Sequence, residues 1–367
     1  MKKITFKILI TFLIVYSTLI TACSNNLPKE KSEYTRFSQS FFDTFNTLTI
    51  VVAYTKTEEE FNNYFQIIHN RFKELHMLYD IYNDYEGINN LKTINDNAGI
   101  KPVEVHEDII SLVSFSIEWA NKTYGNTNIA LGPVTNIWHQ YRSDGLYDPE
   151  NAKIPPIELL QQKAQLTDIN KVIVDKENRT VFLKEKGMSL DVGAIAKGYA
   201  VELVAKELEA IGLKSAVISA GGNVRTIGKP LDGIREYWGI GIFDPNSTLF
   251  SEDRNLDTVF INNGSVVSSG DYQRYYYVDG ELYHHLIDPK TLMPAKYYRA
   301  VTVVHPCSAI ADFFSSELFF IPFEESYQLA KNFNIEAIWV MPDGEVRVTE
   351  GLKKILASYG ASGGKQK

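Results

Sequence analysis

Few cysteines, no basic stripe and no internal repeat mark this sequence, and each shortage removes a class of protein. Only two of its 367 residues are cysteine, Cys23 and Cys307, so at most one disulfide is open to the chain. The formal net charge is −8, and lysine and arginine form no stripe along any segment, which argues against a nucleic-acid surface. No unit recurs, and no low-complexity block interrupts the chain. The apolar run from Ile8 to Ile20 is too short to cross a bilayer as a helix. What is present is a 44% hydrophobic fraction, on a chain long enough for one large domain or two closely joined ones. Its 21 tyrosines and 20 phenylalanines suit sheet packing and flat aromatic ligands alike.

The first residues read as an address. Lys2, Lys3 and Lys7 accompany the apolar run, which ends in Ile20-Thr21-Ala22-Cys23. A small residue before a cysteine, after such a run, resembles a bacterial lipoprotein box. Cleavage ahead of Cys23, with acylation of its thiol and new amino group, would anchor the protein to the extracytoplasmic face of a cell membrane. Residues 1–22 are then a leader and residues 23–37 a polar tether. An ordinary signal peptide with an incidental cysteine is the other reading. With Cys23 lipidated, Cys307 has no disulfide partner, and beside Pro306 it reads as a small buried hydrophobe.

Beyond the tether, "TLTIVVAY" (Thr47 to Tyr54) has the β-branched content of a strand, and Thr57 with Glu60 forms a capping box that opens a helix. A second helix is expected from Asp108 to about Asn121. From Lys171 onward short strands alternate with tight turns, and Asp279-Gly280 is a two-residue hairpin signal. Gly212 reads as the stop of the helix begun in "GAIAKGYAVE", and Ser308 as the N-cap of a later one. The tail, 357–367, is expected to be flexible. Hairpins mixed with separated helices predict an α+β fold of mixed and antiparallel sheets with packed helices, as two closely joined subdomains around one cleft.

The segment "DVGAIAKGYAVE" (Asp191 to Glu202) carries the first functional signal. Gly193, Ala194, Ala196 and Gly198 let main chain approach a ligand, yet the spacing is neither a dinucleotide GxGxxG nor a P-loop. "SAGGNVRTIG" turns on Gly221 and Gly222, "SSGDYQRYYY" repeats the device from Ser268, and "NTNIALGPVTNIW" sets Gly132-Pro133 after polar side chains. One such turn is ordinary; several together point to a nucleotide-like ligand. Asp312, Ser315 and Ser316 share a helix face that flanking alanine and phenylalanine turn inward, and a buried carboxylate needs a partner. A hard divalent cation suits it, with positions open to phosphate; complementing the positive end of its own helix is the alternative. His284 and His285 are strand neighbours facing opposite sides, so one at most enters a given cleft, where it would act as a general base.

In this order, "FFDTFNTLT", "YDIYND", "NTNIALGPV", "DVGAIAKGYAVE", "SAGGNV", "SSGDYQRYYY", "HHLIDPKTLMPA" and "AIADFFSSELFF" resemble the ApbE family, the FAD:protein FMN transferases. The resemblance covers about residues 38 to 350 and sets a catalytic domain at 38–356. It implies a Mg2+-dependent enzyme that takes FAD, transfers FMN to a threonine hydroxyl of an extracytoplasmic acceptor protein and releases AMP. It also implies roles. Asp312, Ser316 and the main-chain oxygen of Ala194 would hold Mg2+, and His285 would be the base. Phe42, Tyr82, Asn126, Thr127, Asn128, Asp191, Lys197 and Asp271 would contact the flavin nucleotide.

Three positions depart from the family pattern. Ser316 stands for a threonine, Asn128 for an aspartate, and Leu292 for a glycine, the last reshaping its turn. Two other functions suit the same residues. One is an FAD pyrophosphatase, with water in place of the threonine; the other is a flavin-binding lipoprotein without turnover.

Overall fold

The structure is a computed structural model that describes residues 32–247, 251 and 254–364. The leader, Cys23 and the tether as far as residue 31 lie outside the described residues, and Thr35, Arg36 and Phe37, expected as tether, are strand residues instead. Tyr34–Lys367 form one compact unit. No described helix is long and apolar enough to cross a membrane.

The first half of the unit runs β1 (Thr35–Thr44), β2 (Thr47–Thr55), α1 (Glu58–Tyr79), α2 (Leu91–Asp96), β3 (Val103–Glu104), α3 (Glu107–Lys122), α4 (Gly132–Tyr147), α5 (Ile157–Ala164), β4 (Val172–Asp175) and β5 (Thr180–Leu183). Then come α6 (Ala196–Ala210), β6 (Ala216–Ala220), β7 (Asn223–Ile227), β8 (Trp238–Phe243), β9 (Asn255–Ile261), β10 (Ser265–Gly270), β11 (Tyr275–Val278) and β12 (Glu281–His284). The chain closes with β13 (Ala300–His305), α7 (Ser308–Glu317), α8 (Phe323–Asn332), β14 (Glu336–Val340) and β15 (Val346–Val348).

Eight strands form the main sheet, in the order β1-β2-β6-β7-β10-β13-β14-β15, and its pairings are antiparallel, as the α+β expectation requires. Period-two alternation lets each strand serve two cores. On one face Val51, Ile218, Val267 and Val303 pack with Phe72 of α1, Val204 of α6 and Phe314 of α7. On the other, Tyr54, Val266, Val304 and Ile338 pack with Trp238, Ile240 and Ile242 of β8. A third, smaller core joins α4 to the β11–β12 hairpin through Val134, Trp138, Tyr276, Ile287 and Leu292.

Local signals act mostly as the sequence implies. Thr57 caps α1 by accepting the Glu60 N–H at 3.1 Å, while the Glu60 carboxylate takes the Lys56 N–H rather than that of Thr57. Gly212 ends α6 with φ of +101°, and the next N–H reaches back from Leu213 to the Leu208 carbonyl. Asp279 and Gly280 both have positive φ, the primed hairpin turn. Two expectations fail. Ser308 does not cap α7: Cys307 holds that position, the Ser308 hydroxyl is buried without a partner, and its N–H donates to the Glu202 carboxylate at 2.7 Å. A carboxylate from α6, ion-paired with buried Arg225, has displaced the local cap. Nor is the tail free up to Gly363, whose carbonyl accepts the Glu236 N–H while Ser358 bonds Asp257 on β9.

Register decides where a site can form. Thr49 pairs with Ala220, Ala220 with Asn223, and Val224 with Val266. The start of β2, the β6–β7 turn and the far end of β10 therefore meet at one end of the sheet. Over that end α6 and α7 lie in contact, and Gly198 makes their approach possible. A methyl group there would stand 2.6 Å from the Ser308 carbonyl oxygen and closer still to the Asp312 Cβ. Gly198→Ala should therefore destabilise the fold by about 1–3 kcal/mol. An unchanged denaturant midpoint would show instead that the helices separate freely.

Candidate active site

At that end of the sheet opens a cleft of about 560 Å3, within the size range of small-molecule sites. Ten of the expected site residues line it: Tyr82, Asn126, Thr127, Asn128, Asp191, Ala194, Lys197, His285, Asp312 and Ser316. Two do not. Phe42 is 68% exposed because strand alternation on β1 gives the inward position to Phe41, which stacks on His69. Asp271 is turned away to Arg299, whose Nε lies 2.6 Å from its Oδ2, and the cleft receives Gln273 and Arg274 instead.

The small-residue segment brings main chain to a carboxylate. Asp191 closes its own turn, with Oδ1 accepting from the Gly193 N–H at 2.8 Å and Oδ2 from the Thr135 hydroxyl at 2.7 Å. That turn lays Gly193 and Ala194 along the cleft and leads into α6. There the Gly198 N–H, which the first turn of a helix cannot use internally, donates to Asp312 Oδ2 at 2.7 Å. Asp312 thus complements the N-terminus of α6, not that of its own helix.

Asp312 is 4% exposed; burial raises its carboxyl pKa, while Lys197 and the Gly198 N–H pull the other way. The hydroxyls of Ser315 and Ser316 meet that of Ser269 at 2.9 and 3.3 Å. No three His, Cys, Asp or Glu side chains gather as a metal cluster among the described residues. A cation here would rest on one carboxylate, hydroxyls and main-chain oxygens. That low-charge oxygen set fits Mg2+ when phosphate oxygens complete the shell.

The two histidines divide as alternation demands. His284 is buried, with Nε2 2.8 Å from the Ala295 carbonyl and Nδ1 accepting the Leu286 N–H, so both of its nitrogens are engaged. His285 lines the cleft, and its Nδ1 is enclosed without a partner among the described residues. Burial, and then the charge of Arg274, lower its pKa well below 6.5, so the imidazole is neutral at pH 7.

Residues 42–339 match the model of the ApbE family. The chain belongs to the ApbE family. A Treponema pallidum relative named FAD:protein FMN transferase is 31% identical, over 71% of this chain and 73% of its own. A Klebsiella pneumoniae relative of the same name is 32% identical, over 69% and 75%. The crystal structure of the ApbE protein from Thermotoga maritima superposes with a TM-score of 0.75 at 26% identity, covering 87% of this chain and 98% of that one. The flavin transferase ApbE from Vibrio cholerae shares the fold, with a TM-score of 0.70 at 21% identity and coverage of 88% and 99%.

Departures from the ApbE pattern have local reasons. Asn128 accepts the Ala130 N–H and donates to the Thr167 carbonyl at 2.9 Å, a second bond that a carboxylate could not make. Leu292 stands in the left-handed region that favours glycine, at φ of +61°.

Sequence reasoning missed two features. Phe45 and Asn46 form a two-residue turn with positive φ at both positions and line the cleft, though the pair lacks the usual turn glycine. Glu317, beside Ser316, is fully buried, and its carboxylate accepts the N–H groups of Tyr124, Asn126 and Thr127 at 3.1, 3.3 and 2.5 Å. It shapes the loop that carries Asn126 to Asn128 into the cleft. A second acid beside Asp312 in an otherwise apolar and hydroxylic helix was the available signal. Glu317→Gln places an amide NH2 against N–H donors, so we expect about 1–3 kcal/mol of lost stability. Hydrogen exchange at 124–127 should rise with it; unchanged protection there would refute the positioning role.

Proposed function

We propose that the protein is an FAD:protein FMN transferase, carrying FMN from FAD to a threonine hydroxyl of an acceptor protein. The observation that supports this best is the gathering in one cleft of the buried Asp312 with Ser316, the cation Lys197, and the neutral base His285.

The reaction is phosphoryl transfer. The threonine Oγ attacks the phosphorus on the FMN side of the pyrophosphate while His285 takes the hydroxyl proton. The bond from that phosphorus to the bridging oxygen breaks, leaving FMN esterified to threonine and AMP as the leaving group. Asp312, Ser316 and the Ala194 carbonyl would hold Mg2+, which supplies charge neutralisation on the pyrophosphate oxygens. Lys197 adds a fixed positive charge to the same wall, and the Asp191 turn and the Glu317-held loop set where the nucleotide lies. Membrane anchoring through acylated Cys23 belongs to the same proposal and rests on the sequence ahead of residue 32. Palmitate labelling that is lost in Cys23→Ala is the expected result.

Incubation with FAD, Mg2+ and an acceptor domain should release AMP and leave a fluorescent acceptor band on a denaturing gel, both abolished by chelator. Release of AMP and free FMN without a labelled band would replace the transferase with a hydrolase. Asp312→Ala should lower the rate at least about a hundredfold, as loss of electrostatic stabilisation at a transferring phosphoryl group does.

The pH dependence has a definite sign. A base with a lowered pKa keeps accepting protons below the ordinary histidine value, so the acid limb of the rate profile should fall below pH 6.5. Stability follows the same group: below about pH 6.5 the unfolded chain protonates this histidine while the folded one resists, so folding weakens as pH drops. A rate profile whose acid limb lies above pH 6.5 would remove His285 from the role of base.

A further inference from the structure

One histidine of the cleft has no part in the chemistry above. His76 lines it from α1 and meets the turn between β1 and β2. Phe45 and Asn46 hold φ of +52° and +49° in that turn, with no glycine to ease them. Thr44 pairs with Thr47 across it, so the Phe45 N–H lies beyond the strand ladder. His76 supplies the missing partner: its Nδ1 accepts the Phe45 N–H at 3.3 Å. The Phe45 ring covers the same face of α1. Its centroid lies 6.1, 5.6 and 6.4 Å from those of Phe72, His76 and Tyr79, which are neighbours at helical spacing.

A ring nitrogen that accepts an N–H carries no hydrogen of its own, so the ring proton of His76 is on Nε2. No described residue accepts a bond from it. Nε2–H is therefore the polar group that His76 has left for the cleft it lines. The same wall continues through Tyr79, Asp80, Ile81 and Tyr82. Asp80 fixes its far end by accepting the N–H groups of Tyr82 and Asn83 at 2.7 and 3.2 Å. Tyr82 in turn rests on His139 of α4, the helix from which Arg142 also lines the cleft. In the transferase reading Tyr82 meets the flavin nucleotide here, and that ligand is rich in carbonyl oxygens and ring nitrogens that accept hydrogen bonds.

We propose that His76 is a two-ended residue of the nucleotide site, with Nδ1 holding the Phe45–Asn46 turn in place and Nε2–H donating to an acceptor atom of bound FAD. The ligand rests on the transferase reading, and the test separates the two.

Two substitutions divide the ring. Asparagine sets an amide oxygen where Nδ1 stood, and glutamine an amide NH2 where Nε2 stood. In the full-length protein, His76→Asn should leave the Phe45 amide protected from hydrogen exchange. By flavin fluorescence it should bind FAD about three- to tenfold more weakly, the loss of one neutral hydrogen bond. His76→Gln should show the reverse, with faster exchange at Phe45 and FAD affinity within about twofold of the unaltered protein. A nitrogen NMR spectrum of the unaltered protein should place the His76 proton on Nε2, and saturating FAD should slow its exchange with solvent.

FAD affinity unchanged in His76→Asn overturns the proposal. So does Phe45 exchange unchanged in His76→Gln, or a His76 proton found on Nδ1. Binding is read without turnover, so FAD held in this way without AMP release or a labelled acceptor counts against the transferase reading alone.

Discussion

Everything at the functional end of the molecule depends on how closely α6 approaches α7 at Gly198. The glycine has no Cβ, so its N–H comes within 2.7 Å of the Asp312 carboxylate. The donor is one of the N–H groups that a helix start leaves unused, and the carboxylate gains from the same helix end. A buried carboxylate without such a partner would be driven to its protonated form. The same contact that seats α6 on α7 therefore opposes the upward push of burial on the Asp312 carboxyl. It also draws the Asp191 turn, and with it the main chain of Ala194, along the cleft.

Three carboxylates fix the helix that carries this carboxyl group. Glu202 receives the N–H of Ser308 at the start of α7 and is itself held by Arg225. Glu317, at the other end, gathers the N–H groups of the 124–127 loop. Asp312 lies between them. Each of these acids is buried and accepts backbone donors, so none is left as an uncompensated charge. The helix is tied at its start, middle and end, to α6 and to the loop over the cleft. Moving it would break several charge-assisted bonds together, which is how a site of separate chain segments keeps its geometry.

The legible part of this arrangement was whatever a short window records. Strand alternation separated His284 from His285, glycine turns and small residues marked the backbone near the cleft, and inward spacing singled out Asp312 with Ser316. The family resemblance placed Tyr82, which local patterns alone did not reach, and gave Asn126 and Lys197 roles inside segments already marked. What failed was set by partners distant in sequence. Ser308 has the chemistry of a cap, but Glu202 lies 106 residues away and takes the bond. Asp271 carries a charge next to a glycine turn, but Arg299 turns it aside. Phe42 and Phe41 look alike in sequence; only packing of β1 on α1 decides which faces in. The order of the main sheet, with β10 between β7 and β13, was likewise invisible to local pattern.

Leu292 shows how a departure from a family pattern can be absorbed. An L residue held at φ of +61° is strained by roughly 1–2 kcal/mol, which a glycine would not be. The leucine side chain, 6% exposed, fills the third core beside Trp138 and Ile287, and burial of that size contributes about 1.5–3 kcal/mol. Burial therefore offsets the strain. The turn keeps its form because the Leu292 N–H donates to the Asp288 carbonyl and the Leu292 carbonyl accepts from the Trp138 indole, both at 2.8 Å. Trp138 lies one turn before Arg142 on α4, and Asp288 three residues after His285. Backbone bonds that a glycine would also make, together with side-chain packing on Trp138 and Ile287 that it would lack, thus tie the helix bearing one cleft cation to the segment bearing the base. In this chain the position trades backbone ease for a fixed distance between two parts of the cleft.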